Sequence, residues 1–417
     1  MKYGLIAEKV GHSFSAEIHD KLFGYPYELK AIANDELEAF MLARDFCAVN
    51  VTIPYKQAVI PYLDYVDQTA LEIGAVNTIV NRENKLFGYN TDILGLTAMI
   101  QREGIEIKNK KVLVLGSGGT SKTAFHTCKK LGCLAVYRVS RNGNDGCITY
   151  EEAINNHSDA DVIINTTPVG MFPNIAKSAI DINSFPNLSG VVDAVYNPLR
   201  SKLVCDALKR GIKAVGGLYM LVAQAAFAAE KFVGKSVQSS RIDEIYREML
   251  LKKQNIVLVG MPASGKTSTG KLIAQSMNFE FVDTDNEIYK ATGKYPHEII
   301  VTDGEGRFRD IESAVIKEIS KRQGCVISTG GGAILRKENT EYLRENGRIY
   351  FLDRALKDIG TTVNRPLSSN RADLEKRYNE RYPLYLECAD CRIVAVDGKQ
   401  LNADAILKEV KNENSRA

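Results

Sequence analysis

The sequence of 417 residues has few of the features that mark membrane, secreted or nucleic-acid-binding proteins. It has no run of 18 apolar residues, so no transmembrane helix is predicted. The start, MKYGLIAEKVGHS, has only a short apolar patch and is not expected to act as a secretory signal. A formal net charge of +3 gives no reason to expect a nucleic acid or a membrane as partner. We therefore expect a soluble, cytoplasmic protein.

Histidine and cysteine are also sparse. The five histidines show no spacing typical of metal ligands, so no zinc site is predicted. The eight cysteines are scattered over the whole chain, which is typical of reduced thiols rather than of a disulfide framework. Cys388 and Cys391 have CxxC spacing, but no second ligand pair lies nearby. We interpret them as small packing residues before a strand, with a metal or redox role as the alternative.

Short apolar runs alternate with segments of helical periodicity along most of the chain. The runs are short and rich in β-branched residues, which is typical of strands buried in a parallel sheet. The segments 120–131, 199–210 and 265–277 between them have the period of helices. The pattern therefore predicts α/β organisation. The predicted strands are KVLVLG (111–116), DVIIN (161–165), GVVDAVY (190–196), NIVLVG (255–260), GCVIST (324–329) and GRIYFL (347–352).

The length of the chain predicts more than one domain. A helical pattern from about residue 241 to 251 is followed by a new apolar strand that begins at Ile256. Only KKQN separates them, without a Gly/Ser-rich or Pro-rich spacer. We therefore place the junction between residues 251 and 252 and expect two closely tethered units.

The second unit opens with a phosphate-binding signature. Gly260, Gly265, Lys266 and Thr267 form the pattern GxxxxGKT between a predicted strand and a predicted helix. Backbone N–H groups of such a loop, here including Ala263 and Ser264, can hold phosphates, which predicts ATP as a ligand. The lysine is expected to reach the β- and γ-phosphates, and the threonine hydroxyl to bind Mg²⁺.

Further polar residues and glycines follow the loop. Taken singly they are more often turn residues or surface ion pairs than parts of a site. Glycines at the end of a strand let the backbone approach a ligand closely. The residues are Asp283 and Asp285 in FVDTDNEI, Arg309 and Glu312 in DGEGRFRDIE, Gly330, Gly331 and Gly332 in STGGG, Arg365 in VNRPLSSNR, and Arg381 in RYPLYLECAD.

Together and in this order, DTD, GE..FR..E, GGG, RPL and R.PLY behind the phosphate loop resemble the shikimate kinase family over residues 254–417. The resemblance implies that Arg309 and Arg381 bind the shikimate carboxylate beside the triple glycine. It also implies that Glu312 orients Arg309. Asp285 would contact the 3-hydroxyl and orient it or act as its base.

The same resemblance assigns the groups around the transferred phosphate. Asp283 would hold Mg²⁺ through water, together with Thr267. Arg365 would close over the phosphoryl group from a lid at about residues 360–373. Phosphoryl transfer needs mainly positioning and charge neutralisation, and this set of residues supplies both.

The first unit has its own candidate site. GHSFS contains Ser13 and Ser15 after a short apolar strand, and two hydroxyls at this spacing can hold a carboxylate or hydroxyls. NVTIPYK contains Thr52 and Lys56, GAVNTI contains Asn77, and GYNTD contains Asp92. Most lysines are exposed, but a lysine beside an aspartate in a cleft is a candidate for proton transfer.

A second glycine loop follows the strand KVLVLG. Gly116, Ser117, Gly118 and Gly119 precede a predicted helix, although the third glycine of the strict dinucleotide pattern is missing. After the next strand an acidic residue would indicate NAD. The chain instead reads VYRVSRN, with Arg138 and Arg141, which favours a 2′-phosphate and hence NADP(H).

Residues 1–250 resemble the shikimate dehydrogenase family through GHSFS, NVTIPYK, GAVNTI, NTD, GSGG, NTTPVGM, DAVYNPL and GGLYMLVAQAAFA. The resemblance implies that Lys56 and Asp92 are the catalytic pair and that Arg141 contacts NADP. Lys56 would give a proton to the 3-keto oxygen while NADPH delivers hydride to the same carbon. The residues implied around the substrate are Ser13, Ser15, Thr52, Asn77, Asp92, Tyr196 and Gln224.

We therefore expect an α/β chain with two enzymatic parts. Residues 1–251 would be a shikimate dehydrogenase, with a substrate subdomain (1–95 and 216–251) and a Rossmann-like NADP subdomain (96–215). Residues 252–417 would be a shikimate kinase with a three-layer α/β fold. The expected ligands are 3-dehydroshikimate, shikimate, NADP(H), ATP and Mg²⁺, and a homo-oligomer is compatible with the sequence.

Three other hypotheses remain at this point. The first unit could act on quinate with NAD, since that relative shares most of the motifs. The kinase could phosphorylate another small hydroxylated acid, although GEGRFRDIE with GGG argues against it. The chain could also be a sensor that binds these molecules without chemistry, although Lys56, Asp92, Lys266 and Asp285 are all present.

Overall fold

The computed structural model describes residues 1–10, 14–175, 177–359 and 371–416. Ser13, Arg365 and residues 360–370 of the predicted lid therefore lie outside the described residues. The internal contacts divide the chain into two compact units, Met1–Tyr246 and Arg247–Ala417. This division falls a few residues before the junction predicted from the sequence, and each unit is described by itself.

The first part of unit 1 is a mixed α/β layer. Its strands form a six-stranded sheet in the order β2-β1-β3-β5-β6-β4. β5 and β6 form a hairpin through Glu83 and Asn84, whose positive φ angles of 52° and 62° suit the tight turn. The elements are β1 (Tyr3–Ala7), α1 (Ser15–Phe23), β2 (Glu28–Ala31), α2 (Leu37–Ala43), β3 (Ala48–Val51), β4 (Tyr65–Val66), α3 (Gln68–Ile73), β5 (Thr78–Arg82), β6 (Lys85–Tyr89) and α4 (Asp92–Arg102), with a 3₁₀ turn at Ile60–Tyr62.

The second part of unit 1 is a parallel sheet in the order β11-β10-β9-β7-β8. Strand order reverses beside β7, so a crevice is expected where β7 and β9 end. α8 returns to pack on α4 and α1, and Gly95 lets α4 approach the backbone of α8 closely. The elements are β7 (Lys111–Leu115), α5 (Gly119–Lys130), β8 (Ala135–Val139), α6 (Tyr150–Asn156), β9 (Val162–Asn165), β10 (Gly190–Asp193), α7 (Lys202–Lys209), β11 (Lys213–Val215), α8 (Leu218–Val233) and α9 (Ser239–Lys253), with a 3₁₀ turn at Ile182–Ser184.

Unit 2 has a parallel five-stranded sheet in the order β13-β14-β12-β15-β16. Alternate residues of β12 face opposite sides: Val257 packs with helices α12–α14, and Leu258 packs with α10 and α15. The elements are β12 (Asn255–Val259), α10 (Lys266–Met277), β13 (Glu280–Asp283), α11 (Thr284–Thr292), α12 (Pro296–Ile319), β14 (Cys325–Ser328), α13 (Lys337–Asn346), β15 (Gly347–Asp353), α14 (Arg371–Cys388), β16 (Cys391–Val394) and α15 (Lys399–Arg416), with 3₁₀ turns at Ala333–Leu335 and Leu356–Asp358.

These elements confirm the predicted α/β fold. Each of the six apolar runs contains a strand of a parallel sheet, and the predicted helices correspond to α5, α7 and α10. Helices on both faces of the sheet give unit 2 the predicted three layers. Within the described residues, every helix is too short or too polar to cross a membrane.

Candidate functional site

A cleft of about 330 Å³ in unit 1 brings together residues from distant parts of the chain. Lys56 follows β3, and Asp92 is the first residue of α4. The Lys56 ammonium donates a hydrogen bond of 2.6 Å to Asp92 Oδ2, and the two side chains are only 16% and 10% exposed. An ion pair that is largely removed from water can hold a proton donor in one orientation, which proton transfer requires.

Hydrogen bonds fix the start of α4 and therefore the position of Asp92. Asn77 Oδ1 accepts a hydrogen bond of 2.7 Å from the backbone N–H of Thr91, the residue before the helix. The Asn77 carbonyl and the Thr78 hydroxyl both accept from Asn50 Nδ2 at 3.2 Å. All four side chains are buried, so their polar atoms find partners within the protein.

Most of the predicted substrate residues of unit 1 line this one cleft. Ser13 lies outside the described residues. Burial raises the pKa of the Tyr196 hydroxyl, so the side chain enters the cleft as a neutral phenol. Asn50 and Thr120 also line the cleft and were missed from the sequence, although a polar residue within the buried strand AVNV is a signal for Asn50. The predicted residues that line the cleft are Ser15, Thr52, Lys56, Asn77, Asp92, Tyr196 and Gln224.

The first glycine loop lies at the predicted crevice between β7 and β9. Gly116 has a φ of +123°, and a Cβ atom there would lie 2.6 Å from Thr166 Oγ1. Around Gly118 a Cβ atom would meet nothing within 4 Å, and Gly119 begins α5. The exposed Ser117 and the free N–H groups at the start of α5 suit the phosphates of a dinucleotide.

The two arginines after the glycine loop differ in their surroundings. Arg138, in β8, donates a hydrogen bond to the Asp145 carbonyl, and its guanidinium lies 5.9 Å from the centre of the Phe125 ring. Arg141 follows β8 and is exposed. A 2′-phosphate could therefore reach Arg141 without displacing the contacts that hold Arg138.

Unit 2 has a larger cavity, of about 600 Å³, around its phosphate loop. Gly260 and Gly265 have φ angles of +150° and +100°, which side chains other than glycine rarely adopt. Lys266 is buried, and its ammonium donates hydrogen bonds of 2.8 Å to the carbonyls of Gly260 and Met261. The lysine is therefore held within the loop whose N–H groups would surround the phosphates.

Oxygen atoms that suit Mg²⁺ lie beside the phosphate loop. The Thr267 hydroxyl donates a hydrogen bond of 3.0 Å to Asp283 Oδ2 and lies 3.4 Å from the Ser328 hydroxyl. Asp283 also caps α11 by accepting from the N–H of Asp285, so Asp285 lies in the first turn of a helix. The described residues contain no cluster of three or more His, Cys, Asp or Glu side chains arranged for a metal. One carboxylate and one hydroxyl fit Mg²⁺ if phosphates and water complete its ligands.

Arg309 is held between two carboxylates on α12. Its Nη1 donates to Glu312 Oε2 at 2.6 Å, and its Nη2 donates to Glu305 Oε1 at 2.9 Å. Burial raises the pKa of Glu312, and the charge of Arg309 opposes that rise. Glu312 Oε1 is buried without a hydrogen-bond partner among the described residues and points towards Gly330 and Asp285. Glu305 was not among the predicted site residues.

The triple glycine is shaped by its neighbours. A Cβ atom at Gly332 would overlap the Arg309 guanidinium, and one at Gly331 would lie 2.6 Å from Pro262 Cδ. The Gly331 carbonyl accepts hydrogen bonds from Arg381 Nη1 at 3.1 Å and from the Tyr385 hydroxyl at 2.5 Å. Two arginines, Arg309 and Arg381, therefore line one cavity with Asp285, as predicted, whereas Tyr385 was missed.

The remaining predictions concern residues beyond the two cavities. Arg365 lies outside the described residues. Cys388 is buried at the end of α14 and Cys391 begins β16, and neither forms a disulfide with another described residue. Tyr295 and His297 stack at 6.1 Å between ring centres and line the cavity of unit 2, but no sequence motif indicated them.

Comparison with known families gives a match in each unit. The model of the shikimate dehydrogenase substrate-binding domain matches residues 5–79, and the shikimate kinase model matches residues 262–413. A shikimate dehydrogenase (NADP(+)) from Clostridium perfringens is 35% identical over 265 residues, which are 59% of this chain and 97% of the relative.

Solved structures resemble unit 1 as well. A chorismate mutase/shikimate 5-dehydrogenase fusion protein from Clostridium acetobutylicum is 36% identical, with a TM-score of 0.56 over 59% of this chain and 96% of that chain. A shikimate 5-dehydrogenase from Thermus thermophilus, solved in complex with NADP(H) and shikimate, is 29% identical, with a TM-score of 0.54 over 60% of this chain and 99% of that chain.

Proposed function

Because the chain belongs to the shikimate dehydrogenase family and also carries a shikimate kinase domain, we propose that it catalyses two consecutive reactions of the shikimate pathway. Unit 1 reduces 3-dehydroshikimate to shikimate with NADPH. Unit 2 phosphorylates shikimate at its 3-hydroxyl with ATP. The observation that carries the first activity is the Lys56–Asp92 pair in the cleft, and the arginine pair beside the phosphate loop carries the second.

In the reduction, bound NADPH supplies a hydride to C3 of 3-dehydroshikimate. The Lys56 ammonium gives a proton to the 3-keto oxygen as the C–O double bond becomes single, and water later returns that proton to the amine. Asp92 holds the ammonium 2.6 Å away and accepts from a substrate hydroxyl. Ser15, Thr52, Asn77, Tyr196 and Gln224 surround the ring.

In the phosphorylation, bound MgATP supplies the γ-phosphoryl group to the 3-hydroxyl of shikimate. Arg309 and Arg381, which line the cavity together with Asp285, bind the carboxylate of shikimate. Asp285 orients the attacking hydroxyl or accepts its proton. Lys266 balances charge on the phosphates, and Thr267 with Asp283 holds Mg²⁺.

The choice of NADP and the cellular location are parts of the same proposal. The exposed Arg141 is the residue we assign to the 2′-phosphate. None of the eight cysteines, all of them among the described residues, forms a disulfide, which supports a reducing, cytoplasmic location. The residues assigned here are those predicted from the sequence, including Ser13 and Arg365, which lie outside the described residues.

The test is one mixed incubation of the purified chain with 3-dehydroshikimate, NADPH and MgATP, with products identified by mass. Shikimate 3-phosphate is the expected product. Shikimate alone would contradict the kinase assignment, and absence of any product would contradict both. Parallel incubations with quinate and NAD⁺ test the other substrate class, and equal or faster turnover of that pair would overturn the proposed specificity.

A further inference from the structure

A buried carboxylate lies outside the proposed chemistry but between the two binding regions of unit 1. Asp193 is the last residue of β10 and is fully buried. Its Oδ1 accepts hydrogen bonds of 2.9 Å from Asn165 Nδ2 and from the backbone N–H of Val195. Its Oδ2 accepts a hydrogen bond of 2.5 Å from the Ser201 hydroxyl. A buried carboxylate needs such partners, and these come from β9, from the next loop and from the start of α7.

One side of this arrangement fixes the loop that carries Tyr196. Val195 and Ser201 stand at either end of residues 195–201, and both donate to the same carboxylate. Ser201 also caps α7, accepting from the N–H of Val204 at 3.4 Å. A Cβ atom at Gly216 would overlap the Leu199 carbonyl, so this loop also packs on the backbone before α8. The position of Tyr196 in the cleft therefore depends on the Asp193 carboxylate.

The other side fixes the strand end next to the glycine loop. Asn165 Oδ1 accepts from the N–H and the hydroxyl of Thr167, at 3.0 and 2.7 Å, which shapes the turn after β9. Thr166 in that turn donates through its hydroxyl to the Leu115 carbonyl at 2.6 Å and lies against Gly116. The side-chain amide of Asn165, which shapes this turn, in turn donates a hydrogen bond of 2.9 Å from its Nδ2 to Asp193 Oδ1.

We propose that Asp193 is a positioning residue that sets the substrate loop and the dinucleotide loop of unit 1 together. The proposal rests on the proposed dehydrogenase function, since Tyr196 is assigned to the substrate and Gly116 to NADP(H). It predicts that two hydrogen bonds of Asp193 act separately. The one from Ser201 affects the binding of shikimate, and the one from Asn165 affects the binding of the dinucleotide.

The first experiment compares Asp193→Ala with Asp193→Asn in the full chain. KM for shikimate and KM for NADP⁺ are measured from NADPH formation, and circular dichroism of the same samples reports whether the chain is folded. Loss of three buried hydrogen bonds in D193A should raise both KM values about tenfold or more. D193N should restore most of the affinity, because its amide oxygen can accept from Asn165 and Val195 while its amide nitrogen donates to the Ser201 hydroxyl. Both KM values of D193A within about twofold of the wild type would overturn the proposal.

The second experiment separates the effects of the Ser201 and Asn165 hydrogen bonds and does not depend on the folding of D193A. Ser201→Ala should raise KM for shikimate about threefold to tenfold and change KM for NADP⁺ little. Asn165→Ala should do the reverse. Equal effects of each variant on both KM values, or no effect of either, would contradict the separate action of the two hydrogen bonds. Asp206→Asn, which removes an ion pair with Lys202 on α7, is the matched control and should behave as the wild type.

Failure of the proposed function would give a different result. If the wild-type chain forms no NADPH from shikimate, the dehydrogenase assignment is wrong. The fluorescence of bound NADPH then still measures whether D193A and N165A weaken the dinucleotide site, and unchanged affinity would overturn the Asp193 proposal on its own.

Discussion

At the scale of single residues, the proposed reduction depends on the Lys56–Asp92 pair. Replacement of Lys56 by alanine removes the proton donor and leaves Asp92 without its charged partner at 2.6 Å. We expect kcat of the dehydrogenase to fall about 10²–10⁴-fold, the usual contribution of a positioned acid. The measurement is NADPH oxidation with 3-dehydroshikimate, and kinase activity of the same variant should be unchanged. Lys30→Ala, on the exposed edge strand β2, is the control. Normal turnover by K56A would refute the assignment of Lys56 as the proton donor.

The Asp193 carboxyl group gives a prediction about pH and stability. Burial raises its pKa from 3.8 to about 6, opposed by the hydrogen bonds from Ser201, Val195 and Asn165, and no charged side chain contributes to the shift. The folded state therefore binds a proton more tightly than the unfolded state, and this contribution to stability is complete below the unfolded pKa of 3.8 and lost as the pH rises through 6. An asparagine at this position cannot titrate.

We therefore expect the free energy of unfolding of the wild type, relative to D193N, to fall by about 2 kcal/mol between pH 4 and pH 7. Because the chain lacks tryptophan, urea unfolding is followed by circular dichroism. All other groups titrate alike in the two proteins, so their contributions cancel when one free energy of unfolding is subtracted from the other. A difference that stays constant over this range would show that Asp193 has an ordinary pKa.

The sequence predicts the residues that are assigned to ligands and to chemistry, but not the residues that position them through hydrogen bonds. Lys56, Asp92 and Lys266 could be predicted because their neighbours form recognisable patterns. Asn50, Asp193 and Tyr385 lie within NVTIPYK, DAVYNPL and R.PLY, but no role was assigned to them, because their partners are set by which strand ends meet in the fold. Asn165 and Asp193 are 28 residues apart yet hydrogen-bonded. The available signal was a polar residue within a buried run, as in DVIIN and GVVDAVY.

At the scale of elements, the second site depends on how closely the triple glycine approaches α12. A Cβ atom at Gly332 would overlap the Arg309 guanidinium, so Gly332→Ala must displace this arginine or the loop. We expect KM for shikimate in the kinase reaction to rise about tenfold or more, as for loss of a charge-assisted contact, with little change in KM for ATP. Gly306→Ala is the matched control. Gly306 lies on α12, as Arg309 does, and a Cβ atom there would meet nothing within 4 Å. Equal KM values for G332A and the wild type would place shikimate elsewhere.

The strands that were predicted best are those that are almost entirely buried. β7, β9, β10, β12, β14 and β15 are apolar runs in which only Lys111 and Arg348 are partly exposed, and each was predicted from its run of apolar residues. β2 lies at the edge of its sheet with all four residues exposed, so it shows no buried run. The pattern also could not show that α12 breaks at Gly304, where φ is +84° and ψ is 161°. That break lies one residue before Glu305, a partner of Arg309.

At the scale of the whole molecule, the product of one proposed reaction is the substrate of the other. Each unit has its own core and its own cavity, and the described residues that line each cavity all belong to that unit. A shared chain does not by itself transfer shikimate between sites, because a small polar molecule diffuses away quickly once released. Free release of shikimate is therefore the expectation against which any direct transfer has to be measured.

This expectation is tested with two inactivated chains. K56A should make no shikimate, and Lys266→Ala should stop at shikimate because its phosphate loop lacks the charge that faces the β- and γ-phosphates. An equimolar mixture should form shikimate 3-phosphate from 3-dehydroshikimate, with a lag set by the time that free shikimate needs to approach the KM of the kinase. The wild type at the same concentration of each active site should show the same lag. A wild-type time course without that lag would mean that shikimate passes between the sites before it mixes with the solvent. In that case, shikimate labelled with a heavy isotope and added to the solution would not appear in the shikimate 3-phosphate.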